Sequence, residues 1–152
     1  MVKGMKVFIS QPMKDKTFDE IEIERNSMIH VIGCVYPNEE IEVIDSLFSD
    51  EDIERLGADE TVGALWFLGE SIKAMDKADI VIMGFNWQHA RGCKIEHEIA
   101  IDYDKKVLPY WTIERQYREM MEADKKEQEH CDGCKCDSEK SENSPCNPVG
   151  EA

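Results

Sequence analysis

One glutamate stands where a carboxylate could act on a substrate. Glu96 follows Gly92 by four residues, at the start of a stretch whose apolar residues have helical spacing. It therefore falls in the first turn of a predicted helix. Free backbone N–H groups there favour an ionised carboxylate, which can act as a nucleophile. The alternative is a surface group that only compensates the helix dipole.

Short apolar runs and helical patterns surround this glutamate. The run 80–83 precedes its helix and is typical of a strand buried on both faces. Further strands are predicted at 6–9, 41–44 and 107–108. Helices are predicted at 17–31, 62–75, 92–103 and 113–126, with a short one at 50–56, and Gly33 is expected to end the first. This alternation predicts an α/β fold, a three-layer α/β/α sandwich with a mainly parallel sheet of four or five strands, Rossmann- or flavodoxin-like.

The carboxyl ends of parallel strands share one edge of a sheet, where ligands bind. The segments predicted at that edge are 10–13, 45–46, 84–91 and 109–111. Within them, the Gln11 amide suits a hydroxyl or a base edge, and the Arg91 guanidinium suits a phosphate or carboxylate. A loop-stabilising amide and a surface salt bridge are the alternatives. The sequence contains neither of the common glycine-rich phosphate motifs, G-x-G-x-x-G and G-x-x-x-x-G-K-[ST].

Two stretches carry a resemblance to a known family. V-F-I-S-Q-P-M, at 7–13, places a proline-containing loop after a strand. A-D-I-V-I-M-G…W-Q-H-A-R-G-C-K-I-E-H-E-I-A, at 78–100, joins a strand to the helix of Glu96 and is followed by D-K-K-V-L-P. Together they resemble the nucleoside 2-deoxyribosyltransferase-like superfamily, in particular its small bacterial and phage members with the pattern W-x-x-(S/A)-x-G-C-x-x-E-x-x-x-A. The resemblance covers roughly 6–109.

This resemblance implies cleavage or transfer at the N-glycosidic bond of a nucleoside or nucleotide. By its spacing from Gly92, Glu96 matches the nucleophile that attacks C1′ and forms a glycosyl ester, and Asp79 matches a further acid of the family. The residues expected to bind substrate are Ser10, Gln11, Pro12, Met13, Asp45, Trp87, Arg91 and Gly92. The resemblance implies no cofactor, and it implies that the protein forms a homo-oligomer.

One position departs from the family pattern. Characterised transferases carry an aspartate two residues before the glycine, where it handles the proton of the leaving base, and this chain has Ala90. His89 is the candidate replacement, because imidazole is the side chain most often used for proton transfer. Asp45, Asp79 and Glu98 compete for that role, although Glu98 should face away from Glu96. The missing acid leaves a second hypothesis open, a catalytically inactive nucleotide-binding or sensing protein of the same fold.

The charge and the apolar pattern restrict the partners. A formal net charge of −15 argues against duplex nucleic acid and anionic membranes, which need a basic footprint. A small nucleotide needs only a few local donors. No apolar stretch is long enough to cross a membrane, and no secretory signal is recognisable. The cysteines are clustered rather than spread, which favours a cytoplasmic location.

The C-terminal end has its own composition. Residues 1–127 are expected to form the domain, and 128–152 a Cys-rich acidic tail, disordered or ordered by a metal. Its potential zinc ligands are Cys131, Cys134, Cys136 and Cys146. C-x₂-C is a common half of a zinc site, but the full spacing matches no standard zinc finger. Structural zinc, a flexible thiol-rich tail and a segment for protein interactions all remain open.

Overall fold

The computed structural model describes residues 4–58 and 61–132, with side chains described as far as residue 128. Four strands and five helices alternate along this part of the chain. They are β1 (Met5–Ser10), α1 (Phe18–Val35), β2 (Ile41–Val43), α2 (Asp50–Arg55), α3 (Ala64–Met75), β3 (Ile80–Met83), α4 (Arg91–Asp102), β4 (Lys106–Pro109) and α5 (Tyr110–Asp132), with a 3-10 turn at Trp87–His89.

The strands form one all-parallel sheet in the order β2-β1-β3-β4. Ser10 pairs with Met83, and Met83 pairs with Pro109, so the carboxyl ends of three strands lie side by side. The predicted α/β fold with a parallel sheet is confirmed, with four strands among the described residues.

The core follows from the alternation of side chains along the strands. Val7 and Ile9 pack with side chains of α1 and α5. Phe8 lies between them in sequence and packs with side chains of α3 and α4. The strand β3 divides its side chains in the same way. Each central strand is therefore buried on both faces, which explains its uninterrupted apolar run.

The first helix is longer than predicted. It begins after Thr17, whose hydroxyl accepts from the Glu20 amide while the Glu20 carboxylate accepts from the Thr17 amide, a capping box. The prediction that Gly33 ends it is wrong, because α1 continues to Val35. Ile32 is buried there and Val35 packs against the same cluster, so burial outweighs the cost of a helical glycine, about 1 kcal/mol.

The last helix also exceeds its predicted bounds. Tyr110 and Ile113 are both buried, so packing fixes the start of α5 directly after β4. The expected boundary between domain and tail, 127/128, falls inside α5. The side chain of Cys131 and all of Cys134, Cys136 and Cys146 lie outside what the structure describes. Within the described part of the chain, none of the helices has the length and apolar character needed to cross a membrane.

Candidate functional site

A cavity of about 910 Å³ opens at the carboxyl edge of the sheet. This volume is in the range of pockets that hold small organic ligands. Its walls come from the end of β1 and the loop that follows it, from Ser46 after β2, from α3, and from the loop before α4 and the first two turns of that helix. The lining residues are Ile9, Ser10, Gln11, Pro12, Met13, Lys14, Asp15, Ser46, Ala64, Phe67, Leu68, Ser71, Asn86, His89, Ala90, Arg91, Gly92, Cys93 and Glu96.

Glu96 is the buried carboxylate of this cavity, with 7% of its surface exposed. Ser10, the last residue of β1, donates its hydroxyl hydrogen to one carboxylate oxygen. Ser71 of α3 donates to the other oxygen at 2.5 Å. Three separate elements therefore fix the position of one carboxylate. The prediction that Glu96 lies in the first turn of its helix is wrong, because α4 begins at Arg91 and Glu96 is its sixth residue, in the second turn.

The surroundings of Glu96 act on its pKa in opposite directions. Burial raises the pKa above its ordinary value. The hydrogen bonds from Ser10 and Ser71 and the positive charge of Arg25 lower the pKa without offsetting the burial. Glu96 is thus poorly hydrated when it is charged, which makes it a better nucleophile or base than a carboxylate in water.

Behind the cavity lies a buried arginine. Arg25 of α1 donates through Nη2 to the Ser46 hydroxyl at 2.9 Å and to the Ile44 carbonyl at 3.2 Å. Its Nη1 has no partner among the described residues. Burial lowers the pKa of Arg25, and the charges of Asp45 and Glu96 act against that effect. Since the Ser46 oxygen accepts from Arg25, its hydroxyl hydrogen is available to a ligand in the cavity.

The Gln11 amide is fixed by α1. Its Nε2 donates to the Ile21 carbonyl at 3.0 Å and to the Glu24 carboxylate at 2.7 Å. Its Oε1 is buried and has no donor among the described residues. A buried acceptor left unpaired costs about 1–3 kcal/mol. Gln11 lines the cavity, so a donor on a bound ligand is one way to satisfy this oxygen.

A close backbone approach holds Ser10 in place. The Gly84 amide donates to the Ser10 carbonyl at 2.7 Å. A Cβ at residue 84 would lie 3.0 Å from that oxygen, so only glycine fits without a shift. Asn86, two residues later, and Asp15 both line the cavity with positive φ, 56° and 62°. Asn and Asp tolerate this left-handed conformation better than most residues do.

Most of the predicted site residues meet at this cavity. The lining contains Ser10, Gln11, Pro12, Met13, His89, Arg91, Gly92 and Glu96. Asp79 lies elsewhere, because it precedes β3 while the cavity follows it, and a four-residue strand spans roughly 13 Å. Its exposed carboxylate accepts from the Lys6 amide at 3.0 Å, next to the amino end of β3. The structure therefore does not bring Asp79 to Glu96.

Trp87 and Asp45 are also outside the lining. The Trp87 ring stacks on His97 of α4, with 4.4 Å between ring centroids and 21° between planes. The Asp45 carboxylate accepts from the Leu47 amide at 3.0 Å, within its own loop. Both residues lie near the carboxyl edge of the sheet, as predicted from their positions after strands. Their side chains, however, contact neighbouring residues of the protein instead of lining the cavity.

Sequence reasoning missed Ser71, Arg25 and Asp15. Ser71 had a signal, because it is a polar residue at helical spacing from Leu68 and Met75 in an apolar helix. Arg25 had none, since its neighbours in α1 are mostly charged or polar. Cys93 also lines the cavity; it packs with Phe8, Met75 and Ala100, and burial raises its thiol pKa to about 11.

Comparisons with protein-family models, with curated proteins and with solved structures returned no match.

Proposed function

We propose that this protein cleaves the N-glycosidic bond of a nucleoside or nucleotide, by hydrolysis or by transfer to a second base, with Glu96 as the nucleophile. The observation that supports this proposal most is the setting of Glu96: a buried carboxylate, held by two hydroxyls, in a cavity large enough for a nucleoside. The resemblance of 78–100 to the deoxyribosyltransferase-like pattern is the reason for proposing N-glycosidic bond cleavage as the reaction.

In the first step, a carboxylate oxygen of Glu96 forms a bond to C1′ while the bond from C1′ to the base nitrogen breaks. The electron pair of the broken bond leaves with the base, and the sugar stays on Glu96 as an ester. The hydroxyls of Ser10 and Ser71 hold the two oxygens, so the attacking atom is positioned before the substrate arrives.

In the second step, water or an N–H of a second base attacks C1′ and the ester bond to Glu96 breaks. The proton of the attacking group passes to the residue that protonated the leaving base in the first step. The carboxylate returns to its two serine partners, and the sugar is released or carries the new base. Two displacements at one carbon predict retention of configuration.

The leaving base needs a proton in the first step. His89 and Asp15 are exposed residues of the lining that can transfer a proton, as is Lys14, and His89 adjoins Ala90, where the family carries its acid. We assign the proton transfer to His89. His89→Gln should slow release of a poor leaving base more than release of a good one, and Asp15→Asn is its matched comparison.

A second function is favoured by one observation. Ala90, in place of the family's acid, lines the cavity and supplies no proton to a leaving base. A protein that binds a nucleotide without turnover is consistent with this composition.

Release of free base from a panel of nucleosides and nucleoside monophosphates tests the proposal. Glu96→Gln should lower the rate by at least about a thousandfold, because removing a covalent nucleophile abolishes its pathway. Glu98→Gln is the matched control, an exposed glutamate of the same helix outside the lining. Binding without base release across the panel would favour the second function.

A further inference from the structure

The buried polar side chains of the described chain gather in one region. Six polar or charged residues are buried, namely Ser10, Gln11, Arg25, Ser46, Ser71 and Glu96. Five of them line the cavity, and the sixth, Arg25, donates a hydrogen bond to one of the five, Ser46. Arg25 and Glu96 are the two that carry a charge, and their charges are opposite. Among the described residues, the interior therefore holds one cation and one anion.

Neither of these two charges has a counter-ion in contact with it. No described residue forms an ion pair with Arg25 or with Glu96. Among the described residues, Arg25 donates only to neutral acceptors, the Ile44 carbonyl and the Ser46 hydroxyl. Glu96 accepts only from serine hydroxyls of this part of the chain. Because an isolated buried charge is costly, each of the two needs an opposite charge within reach.

Two serines place the charges near each other. Ser10 ends β1 and donates to Glu96, whereas Ser46 follows β2 and accepts from Arg25. The strands β1 and β2 are parallel neighbours, about 4.8 Å apart, so both serines lie at the same edge of the sheet. Both also line the cavity. Arg25 and Glu96 are therefore separated by only a few side chains, and the positive charge of Arg25 lowers the pKa of Glu96.

The other charged groups around this pair are exposed or neutral. Asp45 acts on Arg25 more strongly than Glu96 does, but its carboxylate is exposed and lies outside the cavity lining. The Cys93 thiol lines the cavity and is neutral near neutral pH, because burial raises its pKa to about 11. None of the lining residues of α3 is titratable. Water screens the remaining titratable residues of the lining, which are exposed, namely Lys14, Asp15, His89 and Arg91.

We propose that Arg25 is a positioning residue of this site, a fixed positive charge that holds Glu96 as an anion between turnovers and favours its release from the sugar. A guanidinium stays protonated over the pH range in which proteins are folded, and two neutral acceptors hold this one in place. The part about the sugar rests on the proposed function. When the ester breaks, the electron pair of the bond from C1′ stays on the Glu96 oxygen and a carboxylate forms again. A positive charge nearby stabilises that carboxylate, so it should speed this step.

Titration of the Glu96 carboxyl carbon by NMR tests the charge pair without turnover, the resonance being assigned by its loss in Glu96→Gln. In Arg25→Met the midpoint should move to higher pH, because a positive charge that favours the ionised form is removed. Arg25→Gln is a second neutral variant, which keeps an amide donor for Ser46 and should show the same direction if Arg25→Met does not fold. Arg25→Lys keeps the charge and should titrate near wild type.

Rapid quenching during turnover tests the effect on the second step. Arg25→Met should slow breakdown of the sugar ester about tenfold, less than the loss of a donor that touches the reacting group, which costs about a hundredfold or more. The fraction of protein that carries the sugar in the steady state should therefore rise. A residue with only a structural role would reduce the active protein without raising that fraction. Arg118→Met, an exposed arginine of α5 outside the lining, is the control and should change neither the midpoint nor the fraction.

An unchanged Glu96 midpoint in the folded neutral variant would overturn the inference. A midpoint that moves as far in Arg25→Lys as in the neutral variants would overturn it as well, because charge would then not be the cause. The proposed function fails separately: a midpoint that moves as expected, with no base released by wild-type protein, contradicts the chemistry alone. Base release through a sugar ester whose level is the same in wild type and Arg25→Met contradicts the role of Arg25 alone.

Discussion

Two carboxylates at opposite ends of the central strands have different surroundings. Asp79, at the amino end of β3, is exposed and accepts one hydrogen bond from the Lys6 backbone. Glu96 lies beyond the carboxyl end, is buried, and accepts from Ser10 and Ser71 on two other elements. Asp79 ties one strand to the next, at little cost in desolvation. Glu96 is held in a setting that raises its pKa by burial.

The difference shows that the same functional group can be stabilised in two ways. An exposed carboxylate is stabilised by water and adds little to the fold beyond its hydrogen bond. A buried carboxylate costs stability unless its partners compensate, so a carboxylate buried at a cavity is a candidate for chemistry. Substitutions near either carboxylate test this difference.

The largest effect is expected from removing a hydroxyl that donates to the Glu96 carboxylate. Ser71→Ala leaves one carboxylate oxygen without its donor, and a hydrogen bond to a charged group is worth about 1.5–3 kcal/mol. The rate of base release should fall roughly tenfold to a hundredfold. Because this hydrogen bond lowers the pKa of Glu96, its loss raises that pKa, and the acid limb of the pH–rate profile should move to higher pH. An unchanged profile would contradict the assignment. Ser49→Ala, a serine of the α2 cap, is the control.

A second change acts on Ser10 through the backbone. In Gly84→Ala the new Cβ would lie 3.0 Å from the Ser10 carbonyl, so the end of β1 must shift. We expect a loss of about 1–3 kcal/mol in the free energy of unfolding, and slower base release as well. Denaturant unfolding of Gly84→Ala beside Gly69→Ala measures the effect, since a Cβ at residue 69 meets nothing within 4 Å. Equal stability of the two variants would show that the close contact between residue 84 and the Ser10 carbonyl does not require glycine.

A smaller effect concerns stability and pH. Burial raises the folded-state pKa of Glu96 above its ordinary value of 4.5, so the folded protein holds this proton more tightly than the unfolded chain does. The resulting stability is fully present below 4.5 and is lost as the pH rises through the folded-state pKa. The thermal midpoint of Glu96→Gln, relative to that of wild type, should therefore increase as the pH rises from acid to neutral. A gain that shrinks with rising pH would contradict the direction of the shift.

The smallest effect is expected from a substitution of Asp79, at the amino end of β3. Asp79→Asn keeps an acceptor for the Lys6 amide and removes only a charge, so stability should fall by less than about 1 kcal/mol. Base release should be unchanged, because Asp79 is outside the cavity. A rate reduced as strongly as in Ser71→Ala would mean that Asp79 takes part in catalysis.

Local patterns predicted the fold and about half of the site. The apolar run Ile80–Met83, the capping box at Thr17 and the helix of Glu96 are signals within a few residues, and all three elements are present. Ser71 and Arg25 became partners of the site only through packing of α3 and α1 on the sheet, which spacing within one helix does not reveal. Asp79 was expected to be near Glu96, but it lies at the amino end of β3, and the length of that strand separates it from the cavity.

Capture of the sugar on the protein tests the central claim most directly. Wild-type protein, Glu96→Gln and Glu98→Gln would each be mixed with the nucleoside or monophosphate that releases base, quenched in acid, and digested for mass spectrometry. The account predicts a peptide heavier by one sugar residue, with the modification on Glu96, in wild type and Glu98→Gln and not in Glu96→Gln. Base release from wild type with no adduct at Glu96, even at early times, would contradict a glutamate nucleophile.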